Sequence, residues 1–161
     1  MHRIKYRSPW IAVLWSICIP GFGQFYNRDF LVGLTLLFLE FLINVNANLN
    51  LAIFYSFRGS FPQVYQVSNI QWLLFYPCVY AFAAWQAYNK AIEINNNLND
   101  DSNEPNRRTR LNGFFAGFAM GGTLGVIYNG SIGYVFSGIL GGFLGAVTGS
   151  IIEVIITQRP G

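Results

Sequence analysis

The stretch that decides the fold is Gly113-Phe114-Phe115-Ala116-Gly117-Phe118-Ala119-Met120-Gly121-Gly122-Thr123-Leu124-Gly125, followed by Gly133-Tyr134-Val135-Phe136-Ser137-Gly138-Ile139-Leu140-Gly141-Gly142-Phe143-Leu144-Gly145-Ala146-Val147-Thr148-Gly149. Residues 113 to 149 hold twelve of the chain's seventeen glycines. Gly113, Gly117, Gly121 and Gly125 form one four-residue comb. Gly133, Ser137, Gly141, Gly145 and Gly149 form a second. Four-residue spacing places each comb on one face of a helix. The intervening residues are apolar, and no charge occurs from Phe114 to Ile152. In water each such glycine weakens a helix by about 1 kcal/mol relative to alanine. In lipid the same smooth stripe lets two helix backbones approach closely. The pattern predicts a glycine-zipper membrane hairpin, turning at Tyr128-Asn129-Gly130-Ser131, with helices over 111–128 and 132–156.

Composition agrees. Hydrophobic residues make up 53% of the 161 positions and charged residues only 11%, against about a quarter charged in soluble domains. The net charge of +3 concentrates in the first seven residues and just before the glycine region. Such clusters orient spanning helices and touch anionic lipid. No aromatic-basic surface motif accompanies them, so nucleic acid is not an expected partner. Cys18 and Cys78 sit inside apolar stretches and read as small hydrophobes, not as metal ligands or a disulfide. No small-residue cleavage site closes the first apolar stretch, which is expected to be retained.

Four apolar regions emerge. Pro9 to Ile19 is stopped by Pro20-Gly21 and is too short to cross alone, which suits a re-entrant or interfacial segment. Phe30 to Phe57 is long enough to span with tilt, or to span and finish in the interface. Ile70 to Tyr88 fits a span, with Pro77 as a mid-helix kink. The fourth is the hairpin. The expected fold is therefore all-α and polytopic, with four to five helices and a re-entrant or kinked first segment. Its parts are an N-terminal membrane region at 1–88, a polar Asn-rich cytoplasmic linker at 89–110 with a frayed helical start at Lys90-Ala91-Ile92-Glu93, and the hairpin at 111–157. If the first stretch dips in and returns, nine of ten basic residues share one face and Arg58 alone lies opposite. Positive-inside bias favours that arrangement over five spans. The N-terminus, linker and C-terminus are then cytoplasmic.

Two motifs could carry chemistry. Glu40, Asn44 and Asn48 lie four apart on one helical face. A carboxylate in a spanning helix costs about 2.5 kcal/mol or more at the bilayer centre and faces protein or water. It could line a polar track, or join an interhelical ladder with Gln24, Tyr26 or a tyrosine of the third region. The second motif is the turn Pro20-Gly21-Phe22-Gly23-Gln24-Phe25-Tyr26-Asn27-Arg28-Asp29, followed by Gly33. Gln24, Tyr26 and Asn27 can satisfy backbone groups freed by Pro and Gly. Over residues 9–44 this resembles the two-transmembrane-helix domain family, whose hallmark is a glycine-containing turn leading to a tyrosine between two apolar helices. Gln24 stands where many members carry His, and the family's later acidic signature is not evident. The run Gln71-Trp72-Leu73-Leu74-Phe75-Tyr76-Pro77, the segment Tyr80 to Tyr88 and Gly125-Val126-Ile127-Tyr128 are similar to uncharacterised small multi-pass proteins of Gram-positive, often spore-forming bacteria. That likeness implies a bacterial plasma-membrane location and brings no activity with it.

Catalytic constellations are absent from the sequence. His2 is the single histidine, no Cys or His pair has metal spacing, and Gly21-Phe22-Gly23 lacks the third glycine of a dinucleotide turn. No enzyme activity, cofactor or metal is expected. Trp10, Trp15, Trp72 and Trp85 read as interface anchors. The expected role is a structural or interaction subunit, packing through its glycine faces with a second copy or a larger membrane protein, Gly138 and Gly142 facing the other molecule. The alternative is a channel or transport component lined by Glu40, Asn44 and Asn48.

Overall fold

The computed structural model describes residues 5–99, 111–128 and 131–157, and every regular element among them is helical. The elements are α1 (Pro9–Cys18), α2 (Phe22–Tyr26), α3 (Phe30–Ala47), α4 (Leu49–Phe57), α5 (Phe61–Val67), α6 (Ile70–Leu73), α7 (Tyr76–Asn99), α8 (Asn112–Ile127) and α9 (Gly133–Thr157). The segments outnumber the four to five helices expected, because local breaks divide the apolar regions.

The break in the second region is at Asn48, whose φ of 54° is left-handed. Asparagine tolerates that conformation better than most residues. Its side-chain amide donates to the Val67 carbonyl at 3.0 Å, and Asn69 N–H donates to the Ala47 carbonyl at 3.2 Å. The apolar region from Phe30 to Phe57 is thus two helices, α3 and α4. The expectation for the third region is corrected. Pro77 is the second residue of α7, where its missing N–H costs nothing, so it starts a helix instead of kinking one.

α7 then continues to Asn99, through half of the segment expected to be a loop. Ala91 and Ile92 are buried there, and Asn95 clamps the chain before α1. Arg7 N–H donates to Asn95 Oδ1 at 2.8 Å, and Asn95 Nδ2 donates to the Arg7 carbonyl at 2.6 Å. The polar character of 89–99 therefore belongs to a helix with one buried side. The rest of the expected linker, 100–110, lies outside the described residues.

Contacts order the elements along α7. Arg7 meets Asn95, Trp10 meets Tyr88, and Val13 packs with Ala84, so α1 runs antiparallel to α7. After Pro20-Gly21, α2 turns back, Gln24 meeting Ala83 and Asn27 meeting Ala87. The first stretch is a short helical hairpin laid against the middle of α7. From there α3 runs to the other end, with Tyr76 bonded to Glu40 and Asn69 to Ala47. α8 also runs antiparallel to α7, from Asn112 beside Trp85 to Val126 beside Tyr76. α9 returns along α8. Arg7, Arg28 and Lys90 consequently lie towards one end of the bundle, while Arg58 lies at the other among α4 and α5.

The glycine combs face each other. Gly113 opposes Gly149, Gly117 opposes Gly145, Gly121 opposes Gly141, and Gly125 opposes Ser137. A Cβ on any of these glycines would fall within 3.0 Å of the facing backbone, a separation real Cβ atoms do not show. Gly133 is not part of this seam. It opens α9 with a φ of +77° and packs near Phe61. Gly138 and Gly142 also differ from expectation: Val126 covers the first and the Phe118 ring the second. They complete the intrachain packing and do not form a free second face.

Candidate functional site

Three of the five buried polar residues among those described, Ser16, Gln24 and Asn27, lie where the α1–α2 hairpin rests on α7. Small residues on both sides create the fit. Gly21 has a φ of +107° and lies against Gly33 and Leu37 of α3. Gly23 lies against Ala12, Ser16 and Ala87. On α7, Ala83, Ala84, Ala87 and Ala91 are buried and provide a low surface for the hairpin. An eleven-residue apolar stretch can therefore turn inside the bundle with its loosened backbone screened by neighbours.

Gln24 is the centre of the site and is fully buried. Its Nε2 donates to the Ala83 carbonyl and to Gln86 Oε1, each at 2.8 Å. Its Oε1 accepts from Ser16 Oγ at 3.4 Å. Gln86 Nε2 in turn donates to Asp29 Oδ2 at 2.8 Å, and Asn27 Nδ2 donates to the Ala87 carbonyl at 2.7 Å. Tyr26 stands at the hairpin's open end, where its hydroxyl accepts from Ser8 N–H at 3.1 Å and the Arg7 guanidinium lies 5.1 Å from its ring centroid. Arg28 is exposed with a φ of 63° and makes the corner into α3. Pro20 is buried at the hairpin's tip. Trp15, expected near a span end, packs towards that tip against Phe22, with centroids 6.3 Å apart.

The turn residues singled out from sequence thus share one place in the fold, and their side-chain hydrogen bonds go to Ser16, to Gln86 and to the backbone of Ser8, Ala83 and Ala87, while Asn27 Oδ1 is buried without a partner. Bonds of this kind hold elements in register. They provide no nucleophile paired with a base.

The second motif is divided. Glu40 Oε1 accepts from the Tyr76 hydroxyl at 3.2 Å and from Asn44 Nδ2 at 3.5 Å, so the partner is the tyrosine of the third region and not Gln24 or Tyr26. Asn44 also reaches Asn50 Oδ1 at 3.3 Å. Asn48 has left the face, because it terminates α3 and bonds to Val67. The three residues do not form the continuous track that their spacing suggests. Replacing Tyr76 by Phe should lower unfolding stability in detergent by about 0.6 to 1.7 kcal/mol, the range of intramembrane side-chain bonds. Glu40→Gln keeps an acceptor for Tyr76 and should cost less. Denaturant titration of both variants checks this order.

Several residues at the site escaped the sequence reading. Ser16, Gln86 and Asn95 are single polar residues in apolar or repetitive surroundings. A signal existed in the spacing of Ala83, Ala84, Ala87 and Ala91, which is a small-residue face like the combs but made of alanine. Glu153 is the other omission. Its Oε2 accepts from Gly113 N–H at 3.0 Å and its Oε1 from Asn112 N–H at 3.2 Å. The carboxylate at the end of α9 thus serves orphan donors at the start of α8, where negative charge is favourable. Comparison with protein-family models, curated proteins and solved structures finds no match for this chain.

Proposed function

We propose that this chain is a multi-pass protein of a bacterial plasma membrane and acts as a structural or interaction subunit. The observation that carries the membrane reading is an inverted polarity. α3 and α9 are long and apolar enough to cross a bilayer, yet only 22% and 11% of their most apolar windows are buried. A core helix of a soluble protein would be mostly buried, and α9 is far from the N-terminus. Meanwhile Ser16, Gln24, Asn27, Ser56 and Ser137 are buried, and Phe38, Phe41, Phe143, Leu144 and Ile152 are exposed. In water that arrangement would leave apolar patches well beyond those of soluble monomers. In lipid it is the stable one.

Four crossings fit best: α3, α6 with the apolar half of α7, α8 and α9. The α1–α2 hairpin enters and leaves at one face. Arg7, Arg28 and Lys90 share that face, which positive-inside bias makes cytoplasmic, and Arg58 faces outward.

The subunit role rests on rigidity without catalysis. One glycine seam locks α8 to α9, and one amide network locks the hairpin to α7. Association with a second copy or a larger membrane partner is left to the outer apolar faces, since the combs are occupied within the chain. Solubilisation in mild detergent should yield a particle larger than one protomer, or one carrying another membrane protein. A bare monomer under all mild extraction conditions overturns the subunit role. Membrane pellets should retain the chain after alkaline carbonate washing, and its release would overturn the membrane reading.

A conduit is the second reading, favoured by one observation: Glu40 Oε2 is buried without a hydrogen-bond partner. It requires ion or solute flux in liposomes that Glu40→Gln alters. Flux no greater than in empty liposomes removes it.

A further inference from the structure

Along one side of α7, an apolar cleft meets a polar one. The cleft between α7 and α8 has a volume of about 340 Å³ and is lined by Cys78, Phe82, Trp85, Phe115 and Ala116, among others. The second, about 480 Å³, runs from Trp85 past Asn89, Lys90 and Glu93 to Asn97. Trp85 lines both. The stripe from Cys78 to Asn97 is about 28 Å long at 1.5 Å per residue. It changes from apolar to polar at a tryptophan, the residue suited to a membrane interface.

Two details specify the polar half. Asn89 has both side-chain amide atoms buried with no hydrogen-bond partner, an arrangement that leaves their desolvation uncompensated. Lys90 follows directly and Glu93 lies about one turn beyond Asn89; Lys90 Nζ sits 3.0 Å from Glu93 Oε1. The accessible groups met on leaving the apolar cleft are therefore tryptophan, cation, anion. An aminophospholipid presents the complementary order: acyl chain, glycerol ester, phosphate, ammonium.

Resting on the membrane reading above, we propose that this stripe binds one zwitterionic phospholipid of the phosphoethanolamine class. An acyl chain lies in the α7–α8 cleft. The phosphate meets Lys90, and the terminal ammonium meets Glu93. An anionic headgroup without the amine would leave Glu93 opposed by like charge.

The test uses the full chain equilibrated with equal amounts of phosphatidylethanolamine and phosphatidylglycerol of matched acyl chains, with retained lipids counted by native mass spectrometry. The wild type should retain phosphatidylethanolamine over phosphatidylglycerol by about threefold or more, the scale of partly exposed ion pairs. The double variant Lys90→Glu/Glu93→Lys keeps the net charge and the helical pair but reverses their order, and should abolish the preference. Glu93→Gln provides a milder second variant, expected to lower phosphatidylethanolamine retention while leaving phosphatidylglycerol unchanged. Equal retention of both lipids by the wild type, a preference for phosphatidylglycerol, or an undiminished preference in both variants would each overturn the proposal. Carbonate-resistant membrane retention is scored on the same preparations. A chain that stays in the membrane without lipid preference refutes only this site, whereas release from the membrane refutes the reading beneath it.

Discussion

Replacing Gly117 by leucine should separate α8 from α9 and cost at least about 3 kcal/mol of stability, at or beyond the upper end for overpacked cores. The reason is geometric. A Cβ at Gly117 collides with the Gly145 carbonyl, and the obstruction is backbone, which cannot rotate away as a flexible side chain does. The collision repeats at Gly121 against Gly141 and at Gly113 against Gly149, so the hairpin cannot relieve it by a small local shift. Without a strong hydrophobic force between helices in lipid, close backbone packing is the principal attraction there. Gly145→Leu should behave alike, and the double variant should cost less than the sum, because the first substitution has already parted the helices. Leu144→Ala is the control: Leu144 is exposed on the outer face and its loss should hardly register. Unfolding in a mixed detergent titration ranks all four. Equal stability of Gly117→Leu and the wild type would mean that the seam does not hold the hairpin.

Gln24→Ala should release the N-terminal hairpin from α7, at about 2 to 3 kcal/mol for two intramembrane hydrogen bonds and a cavity together. The loss spreads through the network, since Gln86 Oε1 and the Ala83 carbonyl lose the donor that now serves them. Gln24→His retains one ring donor and should be milder. Hydrogen exchange can localise the effect. Amides of residues 9–26 should lose protection, while those of residues 113–125 and 133–149 should keep it, because the glycine seam lies apart from the hairpin. Uniform loss of protection would show that the two locks form one cooperative unit.

The glycine hairpin was legible in the sequence because its signal is periodic and uninterrupted, and α8 and α9 begin and end close to the expected bounds. The turn motif was legible for a different reason: Pro20, Gly21 and Gly23 can only interrupt a helix, and the polar residues after them needed partners. Elsewhere single residues overrode the regional pattern. Asn48 ended a helix within an apolar run because a left-handed backbone and one bond to Val67 are available to it. Pro77 initiates α7 because it has no N–H to give to the Leu73 carbonyl, so the helix breaks at Leu74-Phe75 and restarts with Pro77 in its first turn. Asparagines near position 95 suggested a loop, yet one side of the helix is buried and Asn95 clamps the backbone of Arg7. Such outcomes depend on partners distant in sequence, and Ala91 with Asn95 could be assigned only once α1 was laid beside them. The combs themselves could be recognised as packing faces, but which faces met within the chain depended on Phe118 and Val126 filling the spaces beside Gly142 and Gly138.

In the proposed topology the first apolar stretch enters and returns on one face of the membrane. Single cysteines at positions 5, 28, 63, 97 and 157, in a background lacking Cys18 and Cys78, measure it directly with a membrane-impermeant maleimide on intact cells. Labelling at 63 alone, with the other four reacting only after permeabilisation, is the predicted result. Position 28 is decisive, because it lies between the hairpin and α3. Labelling that places positions 5 and 28 on opposite faces would mean that the first stretch crosses the bilayer, and would contradict the account.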